Sequence, residues 1–193
     1  MKKAMMRAIA PAVLAKRGFE VRPKGGQGVL PGSRLVVKNK LGREFDYAVR
    51  ASDQRTLSFT RLPDGRWRTL NSMDFVLAVV PPADENKDVE VYAFKAKTLV
   101  KTFDEAWNAL EKAGRSLGPQ MPIFVPLDKI SRKNLGHQVA NLKELSAWNE
   151  SFTRSQVKAM GAVDDFFERV RQELADRVGV DVAKVDFHFV VRS

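Results

Sequence analysis

Apolar positions fall at helical spacing near the start of the chain, at every second position through the middle, and at helical spacing again toward the end. Ala4, Ala8, Ile9, Ala12, Val13 and Leu14 predict a helix over 2–17. Pro11 within it predicts a kink or an early stop, and Gly18 after Lys16-Arg17 is a stop signal. The stretch RPKGGQGVLPGS that follows is turn-rich and basic, a loop. Arg34–Asn39 and Arg43–Ala51 then read as a hairpin around Lys40-Leu41-Gly42. In its second strand Phe45, Tyr47 and Val49 alternate with Glu44, Asp46, Ala48 and Arg50, so one face is apolar and the other polar.

Thr56–Arg61 and Arg66–Leu70 predict a second hairpin about Pro63-Asp64-Gly65. Phe75–Val80 is apolar at every position, the pattern of a central strand covered on both sides, and Pro81-Pro82 ends it. Val89–Lys95 is a further strand. Phe103, Ala106, Trp107 and Leu110 form the stripe of an amphipathic helix over Thr102–Ala113, with Thr102 and Glu105 as a capping box and Gly114 as its stop. Met121–Leu127 carries two prolines and so reads as an edge strand. Residues 128–150 are polar and show no period. Val157, Met160, Val163, Phe167, Val170, Leu174 and Val178 then predict a helix over Ser155–Val178, closed by Gly179, and Val185, Phe187, Phe189 and Val191 predict a last strand.

These elements predict an α/β protein with a mixed central β-sheet flanked by helices. Residues 1–127 form the core, and 128–193 form a helix-plus-strand extension packed on it.

Charge sharpens the picture. The 193 residues carry a formal net charge of +10, and residues 1–80 hold 16 Lys/Arg against 6 Asp/Glu while 81–193 hold 17 of each. An excess confined to one region makes a local positive potential that concentrates polyanions. The partner expected of such a surface is DNA or RNA. Lys38, Lys40, Arg43, Arg50, Arg55, Arg61, Arg66 and Arg68 lie on or beside the strands and turns of 34–70, with Trp67 among them in GRWR. Arginine suits phosphate because its planar fork donates two hydrogen bonds to one group. Trp67, if exposed, could stack on an unpaired base, although a strand tryptophan more commonly packs inward.

Other chemistry is sparse. With no cysteine there is no disulfide, thiol nucleophile or Cys-ligated zinc, and two histidines, His137 and His188, do not make a His-rich metal site. Glu44 and Asp46 share a strand face with Arg50 and are the candidate catalytic acids. Two carboxylates can hold Mg²⁺ or Mn²⁺ for phosphodiester hydrolysis, and the plain alternative is an Asp46–Arg50 ion pair. No cofactor is expected otherwise. The opening MKKAMMRAIAPAVLA is broken by Arg7 as a signal peptide, and no apolar run reaches membrane-spanning length. A soluble, cytoplasmic protein is the expectation.

Three stretches carry a resemblance: the leading helix ending LAKRGFEV, the hairpin SRLVVKNKLGREFDYAVRAS, and MDFVLAVV followed by VYAFKAK and a helix. Their order resembles the core of the PD-(D/E)XK, or restriction-endonuclease-like, superfamily over roughly 2–127. That family places an acid on the first hairpin strand and an acid-x-lysine on the second. Here the first strand offers Arg34 and Lys38, and the second offers Ala48-Val49-Arg50. The resemblance therefore implies a nuclease-like scaffold that binds nucleic acid with its cleavage site eroded. The alternatives are an active Mg²⁺- or Mn²⁺-dependent nuclease using Glu44 and Asp46, and an interaction subunit docking a partner protein or a second copy through 153–193.

Overall fold

The computed structural model describes residues 3–25, 32–83, 88–118, 120–128 and 142–153, together with 155–157, 159, 179 and 181. A six-stranded mixed sheet is its centre, with strand order β1-β2-β3-β5-β6-β8. The strands are β1 (Glu20–Pro23), β2 (Arg34–Lys38), β3 (Glu44–Ala51), β5 (Phe75–Val80), β6 (Val89–Lys95) and β8 (Trp148–Phe152). β3 and β5 are parallel and every other neighbouring pair is antiparallel. A separate antiparallel ribbon joins β4 (Thr56–Thr60) to β7 (Pro122–Pro126). The expected α/β class with a mixed sheet is what the chain adopts.

Period-2 alternation divides the core in two. On one face Leu35, Val37, Tyr47, Val49, Leu77, Val79, Val91 and Ala93 pack against α1 (Lys3–Lys16) through Met6, Ile9, Ala10, Val13 and Leu14. On the other, Ala48, Val76, Ala78, Val80, Tyr92 and Phe94 pack against α2 (Ala96–Lys112) and the inner side of the β4–β7 ribbon. β5 lies between β3 and β6 with Val76 to Val80 buried, which is why its sequence is apolar throughout. α1 runs through Pro11 without ending there. It stops at Gly18, whose φ of 81° is the left-handed conformation a glycine adopts without a Cβ clash. A side chain at that position would also meet the Lys40 stem, whose Cε lies 2.8 Å from where a Cβ would stand.

Several local expectations are corrected. α2 begins at Ala96, so Thr102 is not a cap; it is buried in the helix and its hydroxyl donates to the Thr98 carbonyl at 3.1 Å. Six further residues make the helix because Ala96 and Leu99 extend the apolar stripe backward to β6. The second hairpin does not form as two strands. β4 pairs with β7, and only an Arg61–Trp67 bridge and a short 3-10 turn at Leu70–Ser72 follow it. Arg22 and Pro23, expected to open the loop, instead end the strand Glu20–Pro23, because its backbone pairs along the edge of β2. Within 128–150, expected to hold at most short helical turns, a 3-10 turn forms at Leu142–Leu145 with Leu142 buried, but β8, which was not expected, begins at Trp148 and covers the free edge of β6. Most of the expected 155–178 helix, the 185–191 strand, His137 and His188 lie outside the described residues. No helix among the described residues is long and apolar enough to cross a membrane.

Candidate functional site

The ribbon and α2 cover β5, β6 and part of β3, and the β1–β2–β3 end of that sheet face carries polar side chains instead. In register across it, Glu20 opposes Lys38 and Lys38 opposes Glu44, while Arg22 opposes Val36 and Val36 opposes Asp46. The charges close on one another. Lys38 Nζ lies 3.2 Å from Glu20, Arg22 donates to both Glu44 oxygens at 3.0 and 3.2 Å, and Lys24 donates to both Asp46 oxygens at 2.7 Å. These pairs are half-exposed, so each contributes only about 0–1 kcal/mol to stability. Their chemical effect is larger: the ladder is close to neutral, and both candidate catalytic acids are occupied by cations of β1 and its exit.

Asp46 therefore pairs with Lys24 and not with Arg50, because β1 lays its basic residues over this end of β3 while Arg50 sits four residues further along. The Asp46 backbone N–H also donates to Asp74 Oδ2 at 2.8 Å. Among the described residues no three His, Asp or Glu groups come together so as to hold a metal ion.

Past the ladder the face changes sign. Arg34 opposes Ala48, which puts it diagonally beside Arg50 on the same side of the sheet. Among the described residues neither arginine side chain has a hydrogen-bond or ion-pair partner, whereas Lys38, Arg22 and Lys24 all do. The Arg50 guanidinium is half-buried with its Cζ 5.0 Å from the centre of the Phe59 ring. Burial first, and then the neighbouring charge of Arg34, pull it below the ordinary arginine pKa. Two close cations without a counterion lower each other's stability, and an anion placed between them would reverse that. Arg50 lines a cleft of about 350 Å³ with Lys3, Ser52, Thr56, Ser58 and Phe124. Ser52 and Thr56 are already ordered by the turn, the Ser52 hydroxyl accepting from the Gln54 N–H at 3.3 Å. The carboxylate at the rim, Asp53, is paired with Lys3 at 3.5 Å. Phe124 is 58% exposed, unusual for so large an apolar side chain on a ribbon.

The nine sequence-predicted nucleic-acid contacts separate into groups. Lys38, Lys40, Arg43, Arg66 and Arg68 reach the surface in different places. Arg43 lies over the Phe45 ring at 4.8 Å, Arg66 bonds its neighbour Asp64 at 2.6 Å, and Arg68 donates to Gln120 at 3.3 Å. Three belong to the interior. Trp67 is 1% exposed, packs edge-on against Phe103 and Trp107, and donates its indole N–H to Asp104 at 3.0 Å. It is not available to a base. Arg61 lies over the Trp107 ring at 4.7 Å with one buried guanidinium nitrogen unpartnered.

Arg55 is a structural cation. Its guanidinium donates to Asp128 at 2.6 and 3.2 Å, to Glu90 at 2.9 Å, to the Pro81 carbonyl and to the Tyr92 hydroxyl at 3.4 Å. Burial opposes the Glu90 charge, but the Tyr92 hydroxyl, the Ala83 N–H and Arg55 together hold its pKa below the ordinary value. Arg50 of the nine lies beside a second arginine on the same sheet face, Arg34, which is not one of them. Arg34 could have been found from the period of β2, since Leu35 and Val37 point inward and leave Arg34 on the Arg50 face.

No protein-family model matches this chain, and no curated protein or solved structure does either.

Proposed function

We propose that the protein binds nucleic acid without cleaving it, through phosphate contacts centred on Arg34 and Arg50. The observation that carries this reading is that these two arginine side chains have no ion pair among the described residues, on a face where Arg22, Lys24 and Lys38 are matched to carboxylates. Guanidinium groups at diagonal positions of one sheet face favour a ligand bearing closely spaced negative charge, which phosphodiesters supply. The charge excess of residues 1–80 supplies the long-range attraction, and Lys40, Arg43, Arg66 and Arg68 add to it from the periphery. Such contacts give affinity with little sequence preference.

A restriction-endonuclease-like ancestry fits the helix, hairpin and mixed sheet and belongs to the same proposal. Active cleavage has less support, since Glu44 and Asp46 are each closed by a cation and, among the described residues, no three acids are placed so as to hold a metal ion.

Fluorescence anisotropy with labelled duplex and single-stranded oligonucleotides across a salt series, with and without Mn²⁺ and with products resolved on a gel, tests the reading. Binding that weakens steeply with salt and leaves the oligonucleotide intact supports it. Cleavage in Mn²⁺ that is lost in Asp46→Ala establishes the nuclease instead. No binding at low salt removes both.

A further inference from the structure

Phe124 gives the Arg50 cleft a feature that phosphate contact alone does not require. β4 and β7 bury alternate residues, Leu57 and Phe59 from one and Ile123 and Val125 from the other, against α2 and the sheet. Thr56, Ser58 and Phe124 therefore fall on the outward side, with Ser58 opposite Phe124 in register. An outward position on a two-stranded ribbon is normally polar, and Ser58 and Thr56 follow that rule. Phe124 breaks it, and it does so where the ribbon borders the half-buried Arg50.

The cleft thus combines the Arg50 guanidinium, the Lys3–Asp53 pair, hydroxyls of Ser52, Thr56 and Ser58, and an exposed flat ring. Its volume of about 350 Å³ lies at the small end of ligand sites, which run from ~300 to ~1,000 Å³. Charge, hydrogen-bond donors and an aromatic plane at that scale match one nucleotide unit: a phosphate for the arginine and a base for the ring. A paired base has both faces covered by its stack and cannot present one to Phe124.

We propose that the Arg50 cleft takes a single unpaired nucleotide of a nucleic-acid strand, its phosphate held by Arg50 and its base stacked on Phe124. This rests on the nucleic-acid reading above and adds to it a preference for single strands. No covalent step is involved.

The test uses the full chain and fluorescence anisotropy with a labelled oligothymidylate and with a duplex of equal length, for the wild type, Phe124→Ala, Phe124→Tyr and Arg50→Gln. Phe124 is exposed, so its replacement leaves the core intact, and thermal melts check this. Phe124→Ala is expected to weaken single-strand binding roughly 5- to 100-fold, the range for losing one stacked base, and to leave duplex binding within about twofold. Phe124→Tyr keeps the ring and restores binding. Arg50→Gln weakens binding to both polymers. If Phe124→Ala leaves single-strand affinity unchanged while Arg50→Gln lowers both, the nucleic-acid reading stands and the nucleotide site is overturned. If the wild type binds neither polymer at low salt, both fail. Competition separates the sources of the shared chemistry. Thymidine monophosphate should displace the strand weakly and inorganic phosphate more weakly still. Displacement by the mononucleotide at the strand's own affinity assigns the cleft to a free nucleotide and overturns the strand part. Equal displacement by phosphate overturns the role of Phe124.

Discussion

Replacing Arg55 by alanine should be among the most damaging single changes outside the apolar core. The Arg55 side chain is 16% exposed and Glu90 10%, so the substitution strips the counterion from a carboxylate that water barely reaches. Breaking a buried pair by removing one partner typically costs about 3–5 kcal/mol. Two features place the cost at the low end here. Glu90 keeps its hydrogen bonds from the Tyr92 hydroxyl and the Ala83 N–H, and Asp128, at 39% exposed, can turn to water. The expected loss is about 3 kcal/mol, which for a chain of this size lowers Tm by roughly 6–12 °C.

Arg55 also has φ of 51°, a left-handed conformation that a Cβ disfavours by about 1 kcal/mol. Arg55→Gly relieves that strain and should be the milder variant by a similar amount, although both lose the same ion pairs. Adding Glu90→Gln to Arg55→Ala neutralises the orphaned carboxylate and should recover at least about 1 kcal/mol, a coupling visible in a double-mutant cycle. Urea unfolding of wild type, Arg55→Ala, Arg55→Gly, Glu90→Gln and the double variant, with slopes compared to confirm a common unfolded state, gives these values. An Arg55→Ala protein within about 0.5 kcal/mol of wild type would refute the reasoning, because the network would then be open to solvent.

The same network sets the pH dependence. Arg55 hydrogen bonding lowers the Asp128 pKa, and Glu90 is also held low, so their stabilising charge is present above the ordinary values of 3.8 and 4.5 and is lost as pH falls through the lowered ones. Unfolding free energy should be level near neutrality and decline below about pH 4.5, and Arg55→Ala should flatten that decline. At the other extreme Tyr47 and Tyr92 are pushed up from 10.0 to about 12, chiefly by burial, so stability should also fall between those values as the unfolded chain ionises first. Trp67→Ala should cost about 3–5 kcal/mol in urea unfolding, since it empties a buried site beside Phe103 and Trp107; Trp67→Phe should keep oligonucleotide affinity within about twofold. Glu44→Gln with Asp46→Asn frees Arg22 and Lys24, so oligonucleotide affinity at low salt should rise, with stability changed by less than about 1 kcal/mol. A fall in affinity would place the polyanion elsewhere.

The legible parts of this fold were those whose pattern depends on burial alone. β3 and β5 could be read directly because each side chain reports which side of the sheet it meets. β8 could not, since its pattern is exposed on one side and it becomes a strand only by pairing with the edge of β6. The start of α2 was missed for a related reason: a Thr-x-x-Glu spacing looks like a cap, and only the packing of Leu99 and Ala96 shows that the helix has already run for six residues.

The site divides in the same way. Basic residues were correctly seen to cluster in sequence between 34 and 70, yet Arg55 and Trp67 turn inward, and no local pattern distinguishes an arginine facing Glu90 and Asp128 from one facing solvent. The carboxylates that neutralise Lys38 and Arg55 come from β1, β6 and the residues after β7, well away in sequence. Pairing, which decides the candidate surface, is a tertiary property.

The most direct measurement is the slope of log affinity against log salt for the wild type, for Arg34→Gln with Arg50→Gln, and for Lys38→Gln as a paired-cation control. Each phosphate contact contributes about 0.7 to the slope for single strands and about 0.9 for duplex. The account predicts that the double variant loses roughly 1.4 to 1.8 from the slope, with affinity falling at every salt concentration, while Lys38→Gln changes it far less. A double variant with the wild-type slope and affinity, or a wild type that does not bind at low salt, would contradict it.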